Sequence, residues 1–313
     1  MRGAIAVAIL LANGVSAQVA EVATVAMPSS GGAVALTERM AAVACGDKTL
    51  RLWTLPEGKL VRSIELGERA IDVMAISADG RWVAAGDHGS RYTVWDTTSG
   101  AVQMQLKLAH YPASMAFSRD ARRLAIAPMG DAVQIYELAT RKKLFELQNP
   151  VGGTAAVVFS HDGGRIATAD ADTVVRVYDA RNGELISRNP DFLLVPLTVA
   201  FTADGKSVLA GGGDKAIALL DAATGRGVRA SEKAEDAIAY LETSPDGALL
   251  AAVLMHSDNM MLPGPLVISE VATGKTVQEW RPASLLVGGA WTSDGHLLAA
   301  TMEKKALHVW RVR

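Results

Sequence analysis

The sequence predicts an all-β chain folded as a seven-bladed β-propeller of four-stranded antiparallel blades, the ring closed by an N-terminal strand. Three observations predict it. A short pattern recurs at near-constant spacing; each copy carries four apolar segments of strand length between turn residues; and a strand-like segment is left over at the N-terminus where the last copy lacks one.

The pattern reads SADGR at Ser77, SRDAR at Ser118, SHDGG at Ser160, TADGK at Thr202, SPDGA at Ser244 and TSDGH at Thr292. Its aspartates, Asp79, Asp120, Asp162, Asp204, Asp246 and Asp294, stand 41, 42, 42, 42 and 48 residues apart. A degenerate copy, LTERM, places Glu38 another 41 residues before Asp79 and completes seven. In the second copy DVMAIS is a first strand, ADGR a tight turn, WVAAG a second strand, DHGS a turn, RYTVWD a third strand, TTSG a turn and AVQMQLKL a fourth strand. The fourth and fifth copies parse the same way, and helical periodicity is absent. Such units cannot bury two faces alone, but stacked radially around an axis they can. After the last third strand, ALHVWRV, the chain stops at Arg313; VAEVATVAM, Val19 to Met27, can supply the missing outer strand and close the ring.

The opening residues, MRGAIAVAILLANGVSA, have a positive start, an apolar run from Ala4 to Ala12 and the small-residue ending Val15-Ser16-Ala17. That is the anatomy of a secretory signal peptide, and the run is less than half of the roughly 20 residues a spanning helix needs. The expectation is that residues 1–17 are removed after Ala17, leaving 18–313 as a single propeller, periplasmic or secreted, monomeric, with no integral membrane segment. The alternative is a cytoplasmic regulator that keeps its N-terminus.

Lys and Arg total 31 against 33 Asp and Glu, and the net charge of −2 is spread along the chain, which argues against nucleic acid as a partner. A single cysteine, Cys45, excludes an internal disulfide and multi-cysteine metal sites and reads as a small buried thiol of a second strand. The six histidines lack ligand spacing, and no nucleophile motif or phosphate-cradling glycine loop is present, so no metal, cofactor or catalytic residue is expected.

The segments LRLWTLPEGK, YTVWDTTSGA, VRVYDARNGE, IALLDAATGR and VISEVATGK, with FSHDGGRIATA and ISADGRWVAAG, resemble the third-strand and first-to-second-strand segments of the WD-repeat family, as a divergent bacterial member. The resemblance makes Trp95 a half-buried aromatic of the third strand, with counterparts Trp53, Tyr136, Tyr178, Leu220, Ser269 and Trp310. It makes Asp96, Asp179 and Asp221 structural acids before turns closed by Gly100, Gly183 and Gly225. It also implies a turn aspartate six residues before the aromatic position, bonded to a histidine. That aspartate is in place at Asp47, Asp172 and Asp214; Asp87 and Asp131 are shifted, Pro263 and Lys304 replace it elsewhere, and the histidine survives at best as His110. Apolar packing and sheet hydrogen bonds should therefore hold the blades.

The resemblance implies a non-catalytic scaffold that binds a protein partner on a propeller rim. The sixth copy alone carries an insertion, MHSDNMMLPGP, Met255 to Pro265. Met255, His256, Asp258, Met260, Met261 and Leu262 are the candidate contact residues, with Phe192 in PDFLLVPLT extending the patch on the same rim. Acids at the second-to-third-strand turns, Asp47, Asp87, Asp131, Asp172, Asp214, Asp258 and Glu303, could form an acidic ring, but turn chemistry is the plainer reading, since Lys48, Lys215, Lys304 and Lys305 dilute the field. The alternative function is an enzyme or small-molecule binder of lactonase or quinoprotein type, which needs polar first strands around the central channel; AVVF, TVAF and SMAF are small and apolar and argue against it.

Overall fold

In a computed structural model the chain is described over residues 6–9, 17–67, 70–148, 150–231, 233–256, 262–303 and 305–312. Every regular element in them is a strand. Blade 1 comprises Gly31–Leu36, Met40–Cys45, Thr49–Thr54 and Leu60–Glu65, and blades 2 to 6 repeat this four-stranded antiparallel meander. Their first strands are Ile71–Ile76, Pro112–Phe117, Thr154–Phe159, Pro196–Phe201 and Ala237–Thr243. Blade 7 takes Leu286–Trp291, Leu297–Glu303 and Ala306–Val312 from the C-terminus and its outer strand, Ala17–Ala26, from the N-terminus. The two ends pair antiparallel, Val19 opposite Val312 and Ala26 opposite Ala306, which is the closure the sequence predicts, beginning two residues earlier. A further strand, Ala6–Ile9, lies along the outer edge of Ala17–Ala26. Among the described residues no helix is long and apolar enough to cross a membrane.

The core is divided among the blade interfaces. Seven clusters of buried apolar side chains occur, one at each seam between neighbouring blades. The second strands are covered on both faces, so they read as runs of small apolar residues: AAVAC, VAAG, LAIA and IATA are buried throughout. Outer strands are covered on one face only, and LVRSIE of blade 1 is largely exposed. Cys45 is buried in a second strand, as expected. The third-strand aromatics are buried more completely than the resemblance implies: Trp53, Trp95, Tyr136 and Tyr178 lie inside the seams, whereas Ser269 and Trp310 are partly open.

Alternation of strand direction separates two kinds of turn. The first-to-second and third-to-fourth turns form the lower rim; the second-to-third turns and blade-to-blade connections form the upper rim. On the lower rim the recurring Ser-x-Asp pattern has one geometry. The Ser77 hydroxyl donates to Asp79 at 2.6 Å and accepts the Trp82 N–H at 2.9 Å, while Asp79 accepts the Arg81 N–H at 3.0 Å. The same bonds recur at Ser118, Ser160, Thr202 and Ser244. Each hydroxyl is thus donor and acceptor at a buried strand start, which accounts for the persistence of Ser or Thr.

Ser160 is 1% exposed, so Ser160→Ala leaves the Arg165 N–H without its partner inside the fold. Urea denaturation should find the variant destabilised by about 2 kcal/mol; an unchanged midpoint would remove the structural role assigned to the repeat.

Candidate functional site

The aspartates that the sequence marks as structural act as such. Asp96 accepts the Thr98 and Ser99 N–H groups at 3.0 and 2.8 Å, and Asp221 accepts those of Ala223 and Thr224 at 3.0 and 2.8 Å. Asp179 accepts the Arg181 N–H at 2.8 Å. On the upper rim Asp47 takes a two-point ion pair from Arg51 at 2.9 and 2.8 Å and the Thr49 hydroxyl at 2.7 Å, and these donors hold its carboxyl down at about 2. Arg176 does the same for Asp172, and Arg91 stands 3.3 Å from Asp87. Asp214 accepts the Leu193 N–H at 3.1 Å. With arginines on Asp47, Asp87 and Asp172, the upper-rim acids do not form an open acidic ring.

Blade 4 corrects the expectation that buried polar networks are lost. Asp170, wholly buried at the end of the second strand, accepts from Thr154 at 2.6 Å, Thr168 at 2.9 Å and Arg176 at 2.7 Å, so one guanidinium joins Asp170 to Asp172. Burial raises the Asp170 carboxyl while these donors lower it, and the two carboxylates raise Arg176. His110 contributes its carbonyl, which accepts the Tyr92 hydroxyl at 2.9 Å.

The predicted contact residues are partly brought together. Met255 ends the second strand of blade 6 opposite Ala237. His256 Nδ1 lies 2.6 Å from Asp236 Oδ2, tying the start of the insertion to the neighbouring connection. Leu262 is exposed, and the far end is pinned where Leu254 N–H donates to Pro265 O at 3.0 Å. A Cβ at Gly264 would stand 1.8 Å from the Leu254 carbonyl oxygen, so only glycine fits beside that strand. Asp258, Met260 and Met261 lie outside the described residues. Phe192 is partly buried against the blade 4–5 cluster, whereas the next two residues are exposed. Leu193 is 88% and Leu194 54% exposed.

These leucines belong to a wider arc. The large exposed apolar side chains of the described loops are Tyr111, Met129, Val151, Leu193, Leu194 and Leu262, and all six stand on the upper rim. The backbone beneath the arc is pinned: Met129 N–H donates to Tyr111 O at 2.9 Å, and Met129 bridges Gly153. Gly153 packs so closely on Gly130 that a Cβ would stand 2.5 Å from its nitrogen. Sequence reading favoured the insertion and passed over this arc, whose members sit singly in short connections.

The first strands are small and apolar as expected in blades 3, 4 and 5, but blade 6 departs from them. Glu242 lines the channel mouth, and Tyr240, two residues before it in AIAYLET, donates its hydroxyl to Glu242 Oε2 at 2.7 Å. Tyr240 is exposed and Glu242 half-buried, and burial pushes the Glu242 carboxyl up to about 7. The signal was legible as a break in the first-strand pattern.

Residues 142–179, which run from the outer strand of blade 3 through the third strand of blade 4, match the family described as WD domain, G-beta repeat. The match includes the blade that keeps the buried Asp170 network. Over 110 residues, 35% of this chain and 34% of the relative, the sequence is 27% identical to the small ribosomal subunit protein RACK1 of Drosophila melanogaster. The chain therefore spans about a third of the length of that relative. Both findings support a WD-repeat family.

The pH dependence of the Asp47–Arg51 pair follows from its geometry. Its folded value lies below the roughly 4 of an unfolded aspartate, so its contribution is complete above that value and is lost as pH falls toward about 2. Arg51→Ala should lower stability near neutrality, and its deficit relative to wild type should shrink between about pH 4 and 2. Urea midpoints measured across that range check this; a constant deficit would mean the pair contributes by packing alone.

Proposed function

We propose that this propeller is a non-catalytic scaffold that binds a protein partner on its upper rim. The observation that carries this reading is that the exposed large apolar side chains of the described loops all stand on the upper rim, the others lying on strands. Described loops on the lower rim satisfy their polar groups internally and expose none of the large apolar residues, whereas the upper rim presents six on pinned backbone. Exposed apolar side chains on rigid connections of one rim offer a surface that a partner can bury. The WD-repeat likeness supports the same reading. The proposed contact surface combines Tyr111, Met129, Val151, Leu193 and Leu194 with the blade 6 insertion, including Met255, His256, Asp258, Met260, Met261 and Leu262.

The chain is further proposed to be exported as a monomer to the bacterial cell envelope, with residues 1–17 removed. Loss of that segment takes away the Ala6–Ile9 edge strand but leaves blade 7 four-stranded, so closure survives processing. Mass spectrometry of the protein recovered from periplasm should give a chain beginning at Gln18; an intact Met1 in that fraction refutes the export proposal.

The surface is tested by capture of the tagged protein beside two variants, Val151→Ser/Leu193→Ser/Leu194→Ser and one with residues 257–262 replaced by a Gly-Ser turn. The triple variant should keep the wild-type thermal transition, since its three substituted side chains are exposed. Loss of a stoichiometric partner, at least about tenfold in affinity for the triple variant, is the expected result. Undiminished binding by both variants removes the upper rim as the docking surface.

A further inference from the structure

The central channel carries a site of a different kind. Aligned on the Ser/Thr of the repeat, the positions equivalent to Glu242 are Ala35, Ala75, Ala116, Val158, Ala200 and Ala290. Those equivalent to Tyr240 are Ala33, Val73, Ser114, Ala156, Thr198 and Gly288. One blade in seven therefore projects a carboxyl and a phenol where the others keep the wall small. The neighbouring blade makes room for them. A Cβ added at Gly289 would stand 3.9 Å from Tyr240 Cε1, so a side chain longer than alanine there would press on the ring.

Among the described residues no cation pairs with Glu242. Its carboxylate takes the Tyr240 hydroxyl, and its backbone carbonyl takes the Trp291 indole N–H at 3.1 Å. The other first-strand carboxylate, Asp72 of blade 2, has His88 Nε2 at 2.9 Å. Around Glu242 the lower mouth opens into a cavity of 440 Å³ walled by Phe117, Phe159 and Trp291, with Glu38, Arg119 and His161 the other charged or titratable groups. Glu38 is occupied, accepting the Ser293 N–H at 3.2 Å and hydroxyl at 3.0 Å. Burial, with Arg119 beside it, lowers the His161 imidazole, so that group adds little positive charge near neutrality. The Glu242 carboxyl is shifted by burial and by Tyr240 and by no cation.

A carboxylate with no ion pair among the described residues, facing a cavity with aromatic walls, is complementary to an organic cation: the carboxylate supplies charge and the aromatic wall attracts an ammonium group, although the Arg123 guanidinium already stands 5.5 Å from the Phe159 ring centre. We propose that the lower mouth of the central channel binds a small alkylammonium ion, with Glu242 as its counter-ion, Tyr240 holding that carboxylate, and Phe117, Phe159 and Trp291 forming the wall. An anion would meet both Glu242 and Glu38 there, against the single guanidinium of Arg119. The site does not depend on the scaffold reading, since it opens on the opposite rim and shares no residue with the proposed contact surface.

The probe is n-butylammonium, with n-butanol as the neutral isostere and butyrate as the anion, titrated calorimetrically into the full chain. A cation favours the ionised carboxylate, so binding and proton release are linked. Because Glu242 sits at about 7, affinity should be full near pH 8.5 and about 30-fold weaker near pH 5.5. Butanol and butyrate should bind at least about tenfold more weakly than the amine at the higher pH. Glu242→Gln should abolish amine binding while leaving the thermal transition in place. Tyr240→Phe, which keeps the charge and the cavity, should still bind but with its pH midpoint moved upward, because the carboxylate has lost its donor. Equal affinity for butanol, wild-type binding by Glu242→Gln, or no amine binding near pH 8.5 by a folded wild-type chain each overturns the proposal. The triple rim variant should bind the amine as wild type does, so failure of either proposal leaves the other standing.

Discussion

The pairing of the first described long strand with the last is the constraint on which the rest of the ring depends. Each seam is buried only if both of its blades are present, and in a closed ring no blade is terminal, unlike a solenoid whose end repeats need caps. The Ala17–Ala26 segment therefore completes its own sheet and helps to fill the seams on both sides of blade 7. Ala23, Val25 and Met27 enter the cluster between blades 7 and 1, and Val19 enters the cluster between blades 6 and 7. At roughly 1.5–3 kcal/mol for each fully buried large apolar side chain, a few such residues match the whole stability margin of an ordinary domain. Polar contacts fix the register of the closure: Met27 N–H donates to Lys305 O at 2.8 Å, and His308 Nδ1 meets Glu21 Oε1 at 2.5 Å.

Closure also separates the work of the two rims. The lower rim is built from two turns that every blade needs, and their hydroxyls and carboxylates are consumed in holding backbone N–H groups. The upper rim holds the connections, whose lengths and sequences are freer because only their ends are fixed by the sheets. That freedom is visible in the blade 6 insertion and in the exposed Val151 and Leu193. Even there the local geometry is tight where it must be, as at Gly153 against Gly130 and Gly264 against Leu254 O. Rigid support beneath exposed apolar groups lowers the ordering cost of binding, which favours a partner surface over a loose loop.

What the sequence made legible was whatever the repeat enforces. Seven Ser/Thr-x-Asp or degenerate turns, alternating strands and an unpaired N-terminal segment sufficed to place the blades and predict the closing strand to within two residues. The candidate site was less legible because it consists of departures from the repeat, and sequence alone does not rank them. Length drew attention to Met255–Pro265, while Leu193 and Leu194 lay beside Phe192, the more conspicuous residue, which packs inward. Asp170 was hidden behind Asp172, since a two-residue offset decides which carboxylate ends a strand inside the seam and which lies in the turn. The third-strand aromatics proved buried because neighbouring blades cover both faces, a tertiary effect that strand alternation within one copy cannot express.

The channel shows how such departures can be ranked on physical grounds. At a position occupied by alanine or valine in six blades, drift on an accessible surface would be unremarkable, but a carboxyl walled by protein opposes its own ionisation. Glu242 carries that burden with a tyrosine as its side-chain hydrogen-bond donor and an indole fixing its backbone, in a cavity larger than its own needs. A structural carboxylate in this chain looks different: Asp47, Asp170 and Asp172 each hold an arginine, and the turn aspartates hold backbone N–H groups. Glu242 does neither. A charge kept in a ring of small residues without either form of compensation is explained when the compensation comes from outside the chain.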